Sequence, residues 1–104
     1  MTENYKAYCG DAIARLIIGE FRGEDRKITG VLSNKAMALA WSDFKGTEFK
    51  PRTVHPSIDR GYYHRTGTEF EAYLYDLFND FGYEAAKSFV VKYLIPLQND
   101  ERLI

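Results

Sequence analysis

Apolar residues recur at helical spacing through most of the chain. Between Asn4 and Phe21 they fall at Tyr5, Tyr8, Cys9, Ala12, Ile13, Leu16, Ile17 and Phe21, the i, i+3, i+4, i+7 recurrence of an amphipathic helix. The pattern predicts a first helix over this span, with that wide stripe turned to the core. Gly10 and Asp11 stand inside it. Both are poor mid-helix residues, glycine by about 1 kcal/mol relative to alanine. Their presence beside the apolar stripe points to close packing at Gly10 and to a carboxylate needed at Asp11. The polar turn Arg22-Gly23-Glu24-Asp25 then offers Asp25 as N-cap of a second helix over Lys27 to Asp43, with Ile28, Val31, Leu32, Ala36, Leu39 and Ala40 in helical period. Gly30 and the Ser33-Asn34 pair weaken that period.

From Phe44 to Thr66 periodicity dissolves among Gly46, Pro51, Pro56 and Gly61, and a long loop is expected, of a length that is usually functional or disordered. A third helix is predicted over Gly67 to Phe81, capped by Thr66 or Thr68, with Phe70, Leu74, Leu77, Phe78 and Phe81 buried and Gly82 as its stop. A last helix from Tyr83 buries Ala86, Phe89, Val90, Tyr93, Leu94 and Leu97, and Pro96 kinks or ends it near Ile95. The expectation is a single all-α domain over residues 1–104, of four or five helices and no sheet, large enough for one core without staples.

Composition changes this picture little. The longest apolar runs are a few residues, so no membrane span or signal-type leader is expected. The lone Cys9 lies on the apolar stripe and reads as a small buried residue in a reducing, cytoplasmic setting. Net charge is −1, but residues 45–66 carry five Lys+Arg against two Asp+Glu and both histidines, whereas residues 67–104 carry three against seven. The basic middle segment holds Lys45, Lys50, Arg52, Arg60, Arg65, His55 and His64, with Phe49, Tyr62 and Tyr63 among them. Such a mixture suits a surface that tracks a phosphate backbone and stacks on ribose or bases. It also suits, and more simply, a solvated loop whose aromatics tuck onto the core.

Two acids stand out by placement: Asp11, and Glu71 beside Phe70. Two carboxylates converging from packed helices are the minimum for a hard cation such as magnesium, which takes one or two protein carboxylates and fills its shell with water and phosphate. Glu24, Asp25, Asp80, Glu84, Asp100 and Glu101 lie near helix ends or in the tail and read as caps and solubilising charge. No glycine-rich phosphate loop and no zinc spacing occurs, and His55 and His64 suit no standard ligand pattern.

Three segments, in order, carry a resemblance. YCGDAIARLIIGEF resembles the signature helix of ribonuclease III domains, ITGVLSNKAMALAW the helix that follows it, and TEFEAYLYDLFNDFGYEAAKSFVVKYL the Phe-Glu-Ala helix with its glycine-ended turn. Together they cover most of the chain, and the resemblance implies the ribonuclease III endonuclease fold. Asp11 then matches the signature aspartate and Glu71 the glutamate of Phe-Glu-Ala. The family's further acids are replaced: Asn4 and Ala7 stand where glutamates precede the aspartate, and Thr68 where an acid precedes the final glutamate. The pattern Ala-Tyr-x-Gly-Asp-Ala-Ile with Thr-x-Phe-Glu-Ala is similar to the Mini-ribonuclease III subfamily, which is short and lacks a double-stranded-RNA-binding domain.

The resemblance implies a homodimer paired through the first helix, forming a valley for double-stranded or structured RNA. Asp11 and Glu71 are then the catalytic and metal-binding residues for Mg2+, with Mn2+ able to substitute, and the products carry 5′-phosphate and 3′-hydroxyl ends. Thr68, Lys35 and Asn34 are active-site neighbours, Thr68 serving either as a cap or to orient a water. Lys50, Arg52, Arg60, Arg65 and His64 grip the RNA backbone, and ribosomal RNA processing is the implied task. Two other readings stay open: a catalytically inactive ribonuclease III-like domain that binds RNA or dimerises, favoured by the missing acids, and a small helical protein-interaction module with no RNA role.

Overall fold

The computed structural model describes residues 2–22, 33–49, 56–98 and 100–103. Within them lie four α-helices, α1 (Glu3–Arg22), α2 (Asn34–Lys45), α3 (Pro56–Phe81) and α4 (Tyr83–Tyr93), followed by 3-10 turns at Ile95–Leu97 and Glu101–Leu103. No strand occurs among the described residues, and no helix there is long and apolar enough to cross a membrane.

The 26-residue α3 is the hub, touching α1, α2 and α4. Its Phe70 and Leu74 are fully buried with Ile17 and Ile18 of α1, Met37 and Leu39 of α2, Val90 of α4 and Leu94. Each such side chain contributes about 1.5–3 kcal/mol by leaving water. Phe89 joins the layers, its ring 5.4 Å from Phe70 and edge-on to Phe44 at 5.0 Å. The fourth helix behaves as its period predicts: Ala86, Phe89, Val90, Leu94 and Leu97 are buried and Tyr93 is half-buried. Gly82, at φ +93°, stops α3, and α4 ends before Pro96, which falls inside the first 3-10 turn.

Several expectations are corrected. The first concerns the face of α1. Of its eight predicted core residues Ile17 is buried, Cys9 and Ile13 are half-buried, and Tyr5, Tyr8, Ala12, Leu16 and Phe21 are exposed. The core face is instead Ala7, Gly10, Ala14, Ile17 and Ile18. Both sets have helical period, and the small residues win because they let α3 approach closely.

The second concerns the boundaries of α2. Ser33 has extended backbone (φ −76°, ψ 155°) and its side chain accepts the Ala36 N–H, so a continuous helix over 27–43 is interrupted there by an N-cap. Asp25, Ile28, Gly30, Val31 and Leu32 lie outside the described residues. The third concerns the long loop, whose second half is the start of α3. Pro56 takes the first helical position, where its missing N–H costs nothing, and Gly61 is carried within the helix. Thr66 and Thr68 are therefore buried mid-helix residues rather than caps. Phe78 and Phe81 are exposed at the far end of α3, not buried.

Candidate active site

Asp11 and Glu71 belong to different helices and are brought together by what Gly10 lacks. A Cβ placed on Gly10 would lie 1.8 Å from the backbone oxygen of Glu71, so α1 and α3 touch backbone to backbone at this point. The close packing expected at Gly10 is there, and it sets the neighbouring Asp11 side chain beside Glu71. A looser contact of the same kind seats α3 on α2: a Cβ on Gly67 would lie 3.3 Å from the Asn34 oxygen.

Around this contact opens a cleft of about 310 Å³, lined by Asn4, Ala7, Tyr8 and Asp11 of α1 and by His64, Thr68 and Glu71 of α3. The first set recurs at i, i+3, i+4 and i+7 and the second at i, i+4 and i+7, so each is one face of its helix. Glu71 is buried at 8% exposure while Asp11 is partly open to solvent. Burial raises the Glu71 carboxyl to about 8, and hydrogen bonding with Asp11 and the charge of Asp11 add to the shift, against the opposing charge of Arg15. Arg15 lies one turn beyond Asp11 and donates from Nε to Asp11 Oδ2 at 2.9 Å. The Thr68 hydroxyl donates to the backbone oxygen of His64 at 2.7 Å, which leaves its lone pairs free to accept from water in the cleft.

These residues fit a hard divalent cation. A buried carboxyl that holds its proton at neutral pH lacks compensating positive charge, and a cation supplies it. No group of three or more His, Cys, Asp and Glu gathers among the described residues. Asp11 and Glu71 would therefore hold the ion with water completing its shell, as magnesium sites commonly do.

The other residues singled out by sequence are dispersed. His64 lines the cleft, and Arg60, one turn before it, and Arg65 are exposed on α3. Asn34 stands beside Gly67 at the start of α2. Lys35 is half-buried, its ammonium 5.9 Å from the centre of the Tyr63 ring, and is not among the residues lining the cleft. Lys50, Arg52 and His55 lie outside the described residues. Phe49, Tyr62 and Tyr63 pack on one another, Phe49 and Tyr63 stacked at 5.7 Å and 12°, and Phe49 also packs against the core. Cys9 is half-exposed, not buried. Pattern marks neither Arg15 nor Tyr8 as a site residue, although the i, i+4 spacing of Asp11 and Arg15 is a legible ion-pair signal.

Comparison with protein-family models, with curated proteins and with solved structures returns no match for the chain.

Proposed function

We propose that the chain is a divalent-metal-dependent endoribonuclease of ribonuclease III type that cleaves double-stranded or structured RNA as a homodimer. The observation that carries this reading is the meeting of Asp11 and Glu71, from two helices, in one open cleft with Glu71 buried and short of positive charge. It is also relevant that Asn4, Ala7 and Thr68, the positions at which the resembled family has its further acids, line the same cleft.

Asp11 and Glu71 would hold magnesium or manganese, which would supply positive charge at a scissile phosphodiester and acidify water. The chain's own residues do the rest. Asp11 and Glu71 fix where that charge sits, and Thr68 accepts a hydrogen bond from a water and so orients it. His64 and Arg60 extend a donor-bearing face of α3 away from the acids, suited to phosphate oxygens along an A-form backbone, which is read by shape rather than by base edges. Dimerisation rests on the solvent face of α1. Tyr5, Tyr8, Ala12 and Leu16 fall within about 80° on a helix of 3.6 residues per turn, and Tyr5, Tyr8 and Leu16 are 55%, 77% and 55% exposed. A stripe of large apolar residues in water marks an interaction surface, and Tyr8 makes it continuous with the cleft.

The test is cleavage of a generic RNA duplex with magnesium, beside Asp11→Asn and Glu71→Gln. Cutting by the wild type, abolished in both variants and leaving 5′-phosphate ends, is the expected result. A second reading, a silent RNA-binding domain, is favoured by the neutral Asn4, Ala7 and Thr68 and by the ion pair that Arg15 makes with Asp11. It predicts salt-sensitive duplex binding by all three proteins and cutting by none.

A further inference from the structure

We propose that Arg15 is an exchangeable counter-ion of the cleft. Its guanidinium neutralises Asp11 while the carboxyl pair is without a divalent cation, and moves to a phosphate oxygen of the RNA when the pair holds one. The inference rests on the nuclease reading above and names how the same site couples its metal to its substrate.

Geometry carries it. Arg15 Nε lies 2.9 Å from Asp11 Oδ2, on the carboxylate that a cation must share. The two side chains are 60% and 35% exposed, and an exposed pair of this kind contributes little to stability. It is thus held loosely enough to be exchanged. Within it the guanidinium uses Nε, and its two Nη groups have no hydrogen-bond partner among the described residues. They are a planar fork of the shape that meets phosphate oxygens in pairs. Glu71 lies within the field of the same guanidinium. Were Asp11 and Glu71 to hold a divalent cation, its charge would oppose the pairing of Arg15 with Asp11 and leave the guanidinium to the phosphodiester that brings new negative charge to the cleft.

The consequence is that removing Arg15 moves two measurements in opposite directions. Mn2+ binding, followed by its electron paramagnetic resonance signal at fixed ionic strength, is expected to tighten about 3- to 10-fold in Arg15→Gln, because a repelling unit charge is removed from the edge of the site. Arg15→Lys, which keeps the charge, is expected to stay within about twofold of wild type. Single-turnover cleavage of an RNA duplex at saturating magnesium is expected to slow about tenfold in Arg15→Gln, for want of one charge-assisted hydrogen bond to phosphate. The unfolding temperature serves as the control for folding and should stay near that of the wild type. Unchanged or weaker Mn2+ affinity in Arg15→Gln overturns the proposal, as does tighter affinity with undiminished cleavage. Absence of Mn2+ binding by the wild type, or undiminished binding in Asp11→Asn, overturns the nuclease reading itself and the exchange with it.

Discussion

Glu71 shows how one buried side chain couples the state of the site to pH. Its carboxyl ionises near 8 in the folded chain against an ordinary value near 4.5. The folded state therefore keeps a proton that the unfolded state releases between these values. Stability from this group is fully present below about 4.5 and is lost as pH rises towards 8. In the metal-free protein the unfolding temperature should fall across that window, and Glu71→Gln should flatten the slope; an unchanged slope in the variant would show that another group is responsible. Gly10 gives the second expectation at this scale. In an open helix an alanine there would stabilise, but the added Cβ would meet the Glu71 backbone oxygen at 1.8 Å, and overpacking of this kind costs about 1–3 kcal/mol or more. Gly10→Ala should lower the melting temperature by roughly 10 °C in a domain this size, while Gly19→Ala, with nothing near it, should not. Asp11 and the need for glycine at position 10 are legible in the chain because both are poor mid-helix residues, and Glu71 because it stands beside the core residue Phe70. Arg15 contradicts nothing and becomes interesting once the carboxylate it holds is seen to face a second one.

At the scale of elements, α1 carries two apolar faces. The face of small residues packs within the chain, and the face with Tyr5, Tyr8 and Leu16 is left to solvent. Periodicity detects both, and size then misleads: large side chains look like core, yet the tightest approach between helices needs Ala7, Gly10 and Ala14. If the outer face pairs two chains, Leu16→Glu should convert a dimer to a monomer in sedimentation with little change in melting temperature, since Leu16 is 55% exposed in the single chain, and cleavage should fall with dimer content. A wild-type chain that sediments as a monomer at all concentrations would remove dimerisation from the proposal. The length of α3 is the other lesson at this scale. Pro56 reads as a breaker along the chain, but a proline at the first position begins a helix as readily as it ends one. That extra length carries Arg60 and His64 onto the helix that bears Glu71.

At the scale of the whole molecule, the chain's last turn closes onto the end of α2. Arg102 places both Nη groups on the Asp43 carboxylate at 3.0 and 3.2 Å and also binds Asp100. The network is exposed, so Arg102→Ala should cost about 1 kcal/mol in a denaturation experiment and leave Mn2+ binding at the cleft unchanged. Duplex binding belongs to this scale as well. With a net charge of −1 on the chain, any grip on RNA must come from local donors. Arg60→Ala with Arg65→Ala should reduce the slope of log affinity against log salt by about 2, one for each phosphate that is no longer neutralised.

What is local in this protein can be read along the chain. Helical periods, the stop at Gly82 and the end of α4 ahead of Pro96 depend on neighbours a few residues away, and so does the all-α class that follows from them. The suspicion attached to Asp11 and Glu71 is local too. Tertiary structure decided what depends on partners far away in sequence: which face of α1 is the core, how far α3 extends towards the amino end, and the union of Asn4, Asp11, His64, Thr68 and Glu71 around one cleft. A side chain's period says that it shares a face with others. Which surface that face meets is set by close packing between helices, and here by the absence of a single methyl group at Gly10.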